Sequence, residues 1–314
     1  MSTQTKTHKR LPKITLSHRK TESWSPYVLA GPALFFLALF LGYPMIRGFM
    51  LSFTETSLLA PQNSTFIGLA NFTKLIAEPS TWNAIWITVI YAAGSVIGAL
   101  VIGLFAALIM NMPLKGRGLI RSVVTLPWAV PPVAVALIFV WMFNNQYGVI
   151  NFLLNRTGFS SLYFHWLDNP NLALVALYMV TIWMTFPISA LILLAALQSV
   201  PTELYEASRV DGAGLFNRFR YVTYPGIKPR LYVLALFLTI WALRRFDIIW
   251  VLTGGGPVGK TSTIVVQLYR EAFENQNLGF ASALGSIGLV LSMIVTIIYF
   301  RVNRRVEAAE GGTP

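Results

Sequence analysis

The chain has no cysteine at all. That absence excludes a disulfide framework and any thiolate metal site. Histidine is almost as scarce: His8, His18 and His165 are the only three, and their positions fit no zinc-ligand spacing. No serine sits in a nucleophile elbow with histidine and acid partners. Only 11% of the 314 residues are charged, and just 12 of them are acids. The sequence offers no enzyme, so any energy for its work must come from another subunit. What is plentiful is apolar surface: 55% of the residues are hydrophobic, a polytopic membrane composition.

The apolar residues fall in six runs, at about 27–53, 84–110, 123–143, 172–197, 231–252 and 278–300. Each is near the ~20 residues that a bilayer requires, which predicts an all-α fold with six transmembrane helices. Gly42 and Pro44 break the first run. The third contains Leu126-Pro127-Trp128-Ala129-Val130-Pro131-Pro132. Prolines at that depth need neighbouring helices or water to satisfy the freed carbonyls, so this helix belongs inside the bundle. Residues 1–26 are polar and basic, and read as a disordered tail rather than a signal peptide. Residues 27–300 then form the membrane domain and 301–314 a second tail.

Basic residues set the sidedness. Seventeen of the 24 lie in 1–26, 115–121, 199–230 and 301–314, which alternating spans put on one face. Lys74, Arg156, Lys260 and Arg270 lie on the other, and Arg47, Arg244 and Arg245 are at or within spans. The positive-inside rule makes the first face, with both termini, cytoplasmic. The same distribution accounts for the net charge of +12 without nucleic acid.

One polar island, 199–229, separates the fourth and fifth runs. It reads as two short helices and a turn. Pro201 suits a first helical turn, and Glu203 and Glu206 lie near the positive end of the helix dipole. Gly212 and Gly214 bracket a bend where positive φ is cheap only for glycine. Leu215, Phe216, Phe219 and Val222 follow on one face, and Thr223-Tyr224-Pro225 should stop the second helix. Exposed Leu215, Phe216 and Phe219, rimmed by Glu206, Arg209, Asp211, Arg218 and Arg220, suit a soluble docking partner. An amphipathic segment lying on lipid headgroups is the alternative.

Glu206-Ala207-Ser208, Asp211-Gly212-Ala213-Gly214 and Tyr224-Pro225 resemble the EAA loop of bacterial ABC importer permeases, in general form EAA-x(3)-G-x(9)-I-x-LP. Ser208 replaces the last alanine and Tyr224 the usual leucine. The longer phrase is similar to the carbohydrate-uptake, maltose-type branch, as are Phe66-Ile67-Gly68-Leu69-Ala70-Asn71-Phe72 and Trp183-Met184-Thr185-Phe186-Pro187. The resemblance covers roughly 27–300. It implies the type I ABC importer permease fold in the bacterial cytoplasmic (inner) membrane, surrounded by lipid. It also implies a second homologous permease, two cytoplasmic ATPases and an extracytoplasmic solute-binding protein as partners. ATP and Mg would be held by the ATPases, with no cofactor on this chain. In that picture Glu206 and Asp211 anchor the loop, Gly212 and Gly214 bend it, and Leu215 and Phe216 fill the ATPase groove. Glu203, Ala207, Ser208 and Ala213 belong to the same contact stretch.

Gly254-Gly255-Gly256-Pro257-Val258-Gly259-Lys260-Thr261 satisfies the P-loop pattern letter for letter. A working P-loop joins a buried strand to a helix. Here a membrane span precedes it, the charges place it on the outer side, and Pro257 removes one N–H. Phe246-Asp247 with Leu252-Thr253-Gly254-Gly255-Gly256-Pro257 instead resembles the end of the fifth span in sugar-importer permeases.

Ionisable residues within spans are costly and point to function. The fifth run carries Arg244, Arg245 and Asp247, with Arg245 about 20 Å from the cytoplasmic start at 1.5 Å per residue. An internal Arg–Asp pair with snorkelling side chains is the alternative to a solute contact. Neighbours on a helix face about 100° apart, so both arginines cannot point equally into one pathway. In the fourth run Thr181 and Thr185 share a face, with Met184 and Ile188 nearby; threonines there also commonly back-bond or link helices. Trp128 and Trp141 could stack on sugar rings, although Trp141 suits an interfacial anchor. An arginine at 245 would favour a sugar or polyol with an anionic group. An ion-coupled carrier acting alone would need deep acids and an inverted repeat, whereas Asp247 is the one acid clearly in a span.

Overall fold

The computed structural model describes residues 25–158 and 164–309, so most of the expected N-terminal tail lies outside the described residues. The chain divides into two units, 1–47 and 48–314. The division falls within the first helical run, in which α1 (Ser25–Leu37) passes through one wide π turn (Ala38–Gly42) into α2 (Tyr43–Leu51). Gly42 and Pro44 therefore bulge the first span rather than break it. An apolar run of 25 residues, 27–51, results, with none of its described side chains buried.

The second unit opens with a two-stranded ribbon, β1 (Thr54–Glu55) paired antiparallel with β2 (Thr65–Phe66), in register Thr54 to Phe66. A short α3 (Ala70–Ala77) leads to the first of two long central helices, α4 (Pro79–Asn111). Next come α5 (Arg117–Ala129), α6 (Pro132–Met142), α7 (Val149–Arg156) and the second central helix, α8 (Pro170–Gln198). Pro170 occupies the first turn of α8, and the Asn169 side chain accepts from the N–H groups of Asn171 and Leu172. Both devices suit a helix start, because the first N–H groups have no helical partner.

α4 and α8 pack on each other most extensively. Small residues on α4 allow it: a Cβ on Gly103 would lie 2.6 Å from the Ser189 Cβ and 3.1 Å from the Ala190 backbone nitrogen. Lipid supplies no hydrophobic drive between helices, so close backbone approach is how such helices gain contact. Around this pair sits a core of Ala99, Leu193, Leu197, Ile227, Leu234 and Leu238.

The polar island contains α9 (Thr202–Val210) and α10 (Leu215–Arg218). Only Gly212 needs glycine's freedom, at φ +72; Gly214 has φ −66 and ψ 171, an ordinary extended residue. The expected stop at Pro225 does not occur. A π turn over Phe219–Thr223 carries the chain straight into α11 (Tyr224–Leu243), so 215–243 is one 29-residue apolar helical run. The wide turn alters the hydrogen-bond ladder just where Pro225 has no N–H to offer, and the helix passes through.

Two other expected spans are broken. α5 and α6 meet at 92°. Val130 and Pro131 are both extended, at ψ 135 and 136, as a residue before proline is pushed to be. The fifth span ends at Leu243 and restarts as α12 (Asp247–Thr253), leaving Arg244, Arg245 and Phe246 as a non-helical link. α13 (Ile264–Tyr269) and α14 (Leu278–Ala309) complete the unit, α14 running past residue 300, where the sequence places the end of the sixth span. Among the described residues, five helical runs are long and apolar enough to span a membrane, or six with the bent pair.

Candidate functional site

The two breaks come together because the half-helices beyond them pack on each other. α6 and α12 are in close contact, with Val135 and Phe139 set against Ile248, Ile249 and Leu252 in one buried cluster. A cavity of about 770 Å³ lies beside the breaks. Trp128 and the Val130–Pro131 corner line it from the first break; Arg244, Arg245 and Asp247 do so from the second. α8 adds Met184 and Thr185, and α11 adds Trp241. Irregular backbone at membrane depth persists only where protein or a cavity covers it, and both breaks meet that condition.

Arg245 is the most enclosed charge here, its side chain 13% exposed. Its one ion-pair partner is Asp247, at 3.9 Å from Nη1 to Oδ1. That is beyond hydrogen-bond length. The Arg245 Nε is buried with no partner, and so are the hydroxyls of Thr185 and Ser95. Behind the cavity wall, Ser95, Thr181, Thr185 and Arg245 surround a gap of about 10 Å³. Thr181 is already engaged, its hydroxyl 2.8 Å from the buried Tyr91 hydroxyl. Arg244 is exposed and stands at the edge shared with a smaller groove against α13 and α14.

Met184, Thr185, Arg244, Arg245 and Asp247 thus meet in one place, Thr181 stands behind them, and Ile188 packs against the core away from the cavity. Both arginines line the one cavity, contrary to the expectation for neighbours on a helix, because they occupy a non-helical link. Trp128 lines the cavity while Trp141 does not, being 72% exposed on α6. Sequence reasoning missed Trp241, since a tryptophan in an apolar run carries no sign of which way it faces. It also missed Phe246 and Val130, which matter only once the breaks exist.

The polar island forms a second candidate surface. Glu203, Glu206, Ala207 and Asp211 are exposed on α9 and its end, and Gly212 and Gly214 on the bend; Ser208 and Ala213 are half-buried. Leu215 and Phe216 are 80% and 72% exposed. Phe219 and Val222 instead turn inward, with Val222 against the core, so the expected apolar face divides. Tyr205 pins α9 to the bundle: its ring packs on the core and its hydroxyl donates to Thr223, 3.2 Å away.

The glycine-rich segment 254–261 follows α12, a helix rather than a strand. Its Thr261 hydroxyl is spent on the Gly256 carbonyl and on Thr253, at 2.6 and 2.8 Å. The cradle expected of a P-loop is not formed. Among the described residues, no group of three histidines or acids is placed to hold a metal.

A bundle of membrane-spanning helices, two of them broken around a cavity, defines a multi-pass transport component. The chain belongs to the family of binding-protein-dependent transport system inner membrane components, whose model matches residues 99–308. It is 38% identical over 296 residues to the sulfoquinovosyl glycerol transport system permease protein SmoG of Agrobacterium fabrum, covering 94% of this chain and 96% of that one. It is also 38% identical over 294 residues to the trehalose/maltose transport system permease protein MalF of Thermococcus litoralis, covering 93% and 97%. Among solved structures, a chain of a bacterial ABC transporter for import of the acidic polysaccharide alginate superposes with a TM-score of 0.76 at 24% identity, covering 90% of this chain and 96% of that one. The fold is therefore that of an ABC importer permease in the inner membrane, not of a carrier working alone.

Proposed function

We propose that this permease takes up a saccharide by alternating access through the cavity between its two broken helices. ATP and Mg are held and used by two ATPase subunits that dock on α9 and α10. A second, similar permease and an extracytoplasmic solute-binding protein complete the assembly. The saccharide class rests on the relatives, one named for sulfoquinovosyl glycerol and another for trehalose and maltose. A solved neighbour is held in complex with a periplasmic protein carrying an alginate pentasaccharide.

One observation carries the mechanism. The helical run 215–243 begins at exposed Leu215 and Phe216 and ends at the link holding Arg244 and Arg245. At 1.5 Å per residue it is a rod of about 42 Å. A movement imposed at its docking tip reaches the cavity without an intervening loop. Packed elements move as bodies against one another, so the rod can rock the cavity open to either face. The excess of lysine and arginine on one face supports a cytoplasmic position for α9 and α10, with both termini, where an ATPase works. A carrier driven by an ion gradient has no use for exposed apolar residues at such a tip.

Vesicles carrying the permease pair, the ATPases and the binding protein test the reading. Saccharide accumulation should require ATP hydrolysis and stop when the ATPase is omitted. Accumulation driven by an ion gradient with no ATPase present would contradict it.

A further inference from the structure

We propose that the cavity selects a saccharide bearing an anionic substituent, a carboxylate or sulfonate, whose oxygens pair with the Arg245 guanidinium. The proposal rests on the reading of this cavity as the saccharide path.

Two observations converge on it. First, the cavity holds two arginines and one acid, an excess of positive charge between walls of Trp128, Trp241, Pro131 and Met184. Apolar walls lower the local dielectric beside the charges, which strengthens the attraction for an opposite charge. Second, the enclosed guanidinium is underused. Its carboxylate partner stands off at 3.9 Å, beyond hydrogen-bond length. A guanidinium presents five donors in a planar fork matched to two oxygens, and leaving buried donors unmet is costly. An anion in the cavity can approach the guanidinium more closely than Asp247 does. A neutral hydroxyl could accept from it, but it leaves the charge uncompensated.

The geometry also fixes the side from which the anion arrives. The gap behind Arg245 holds about 10 Å³, the room of one water molecule. A carboxylate does not fit there, so it must approach from the large cavity, where the indoles of Trp128 and Trp241 can lie against the sugar ring. Asp247 is the internal competitor: it occupies part of the arginine's capacity at rest and yields it when a closer anion enters.

The test uses the intact transporter in nanodiscs, without binding protein, so that the permease alone discriminates. Methyl β-D-glucuronide and methyl β-D-glucoside differ only in carboxylate against hydroxymethyl. Calorimetric titration should give at least tenfold tighter binding of the glucuronide. Arg245→Gln should erase that preference and Arg245→Lys should keep part of it. Asp247→Asn removes the competitor and should tighten glucuronide binding several-fold, a gain that a misfolded variant cannot produce. Equal binding of both glycosides, unchanged by Arg245→Gln and Asp247→Asn, overturns the proposal. If neither glycoside binds while ATP-driven uptake of a neutral sugar persists in vesicles, the anionic proposal fails and the importer reading stands. If no saccharide of either kind is bound or accumulated, both fail.

Discussion

Tyr91 and Thr181 show what a single buried pair contributes in this membrane. Their hydroxyls lie 2.8 Å apart and join α4 to α8. Tyr91 is fully buried, so its hydroxyl has no water to fall back on. Hydrogen bonds between membrane helices contribute about 0.6 kcal/mol on average and up to about 1.7. Tyr91→Phe and Thr181→Val should each destabilise the protein, and a double-mutant cycle by denaturation in detergent should return a coupling of about that size. A coupling of zero would mean that the pair merely coexists. The arginines were legible at this scale, because any ionisable residue in an apolar run stands out against its cost. Trp241 was not, since nothing in its local sequence separates a cavity wall from a lipid contact. Ile188 was misplaced for a related reason: three residues from Thr185 is close on a helix, yet far enough around it to face the core.

At the scale of the element, the long central helices were readable from their apolar runs, and α4 and α8 lie within a few residues of the expected spans. The breaks were harder. Pro131 and Pro132 are visible punctuation, but a membrane helix often carries proline without breaking, so the 92° corner needed tertiary context. The link at 244–246 has no proline or glycine to announce it. It exists because α12 turns aside to pack on α6. The reverse error occurred at Pro225, where a π turn carried the helix through an expected stop.

Two outcomes follow for the elements. Gly103→Leu must force α4 away from Ser189 and the Ala190 backbone, and overpacking of this kind costs about 1–3 kcal/mol. Thermal unfolding in detergent should show the loss, and an unchanged midpoint would deny the close packing. Inserting Gly-Gly between Thr223 and Tyr224 softens the rod between its docking tip and the cavity. The ATPase should then still bind, but solute should no longer stimulate ATP hydrolysis. Stimulation at the normal level would show that the movement travels by another route.

For the whole molecule, composition alone separated a membrane bundle from a soluble fold, and the distribution of lysine and arginine predicts a direction for it. What neither could supply was the connection between the two candidate surfaces. The sequence shows a polar island and a pair of arginines as separate features about 30 residues apart. Folding puts exposed Leu215 and Phe216 at one end of a helix and the arginine link at the other, which is the physical basis of the coupling proposed above.

Gly214 offers the most direct test of that coupling. A Cβ there meets nothing within 4 Å, and its backbone is already extended. Gly214 caps the start of α10, a position that aspartate favours. Gly214→Asp should therefore leave the isolated permease as stable as before, while putting a charged side chain beside Leu215 and Phe216. Co-purification with the ATPase, followed by ATP-driven saccharide uptake, is the measurement. The expected result is a stable permease that loses the ATPase, or retains it without uptake. A variant that keeps the ATPase and accumulates saccharide at the original rate would show that this loop is not where the ATPase engages.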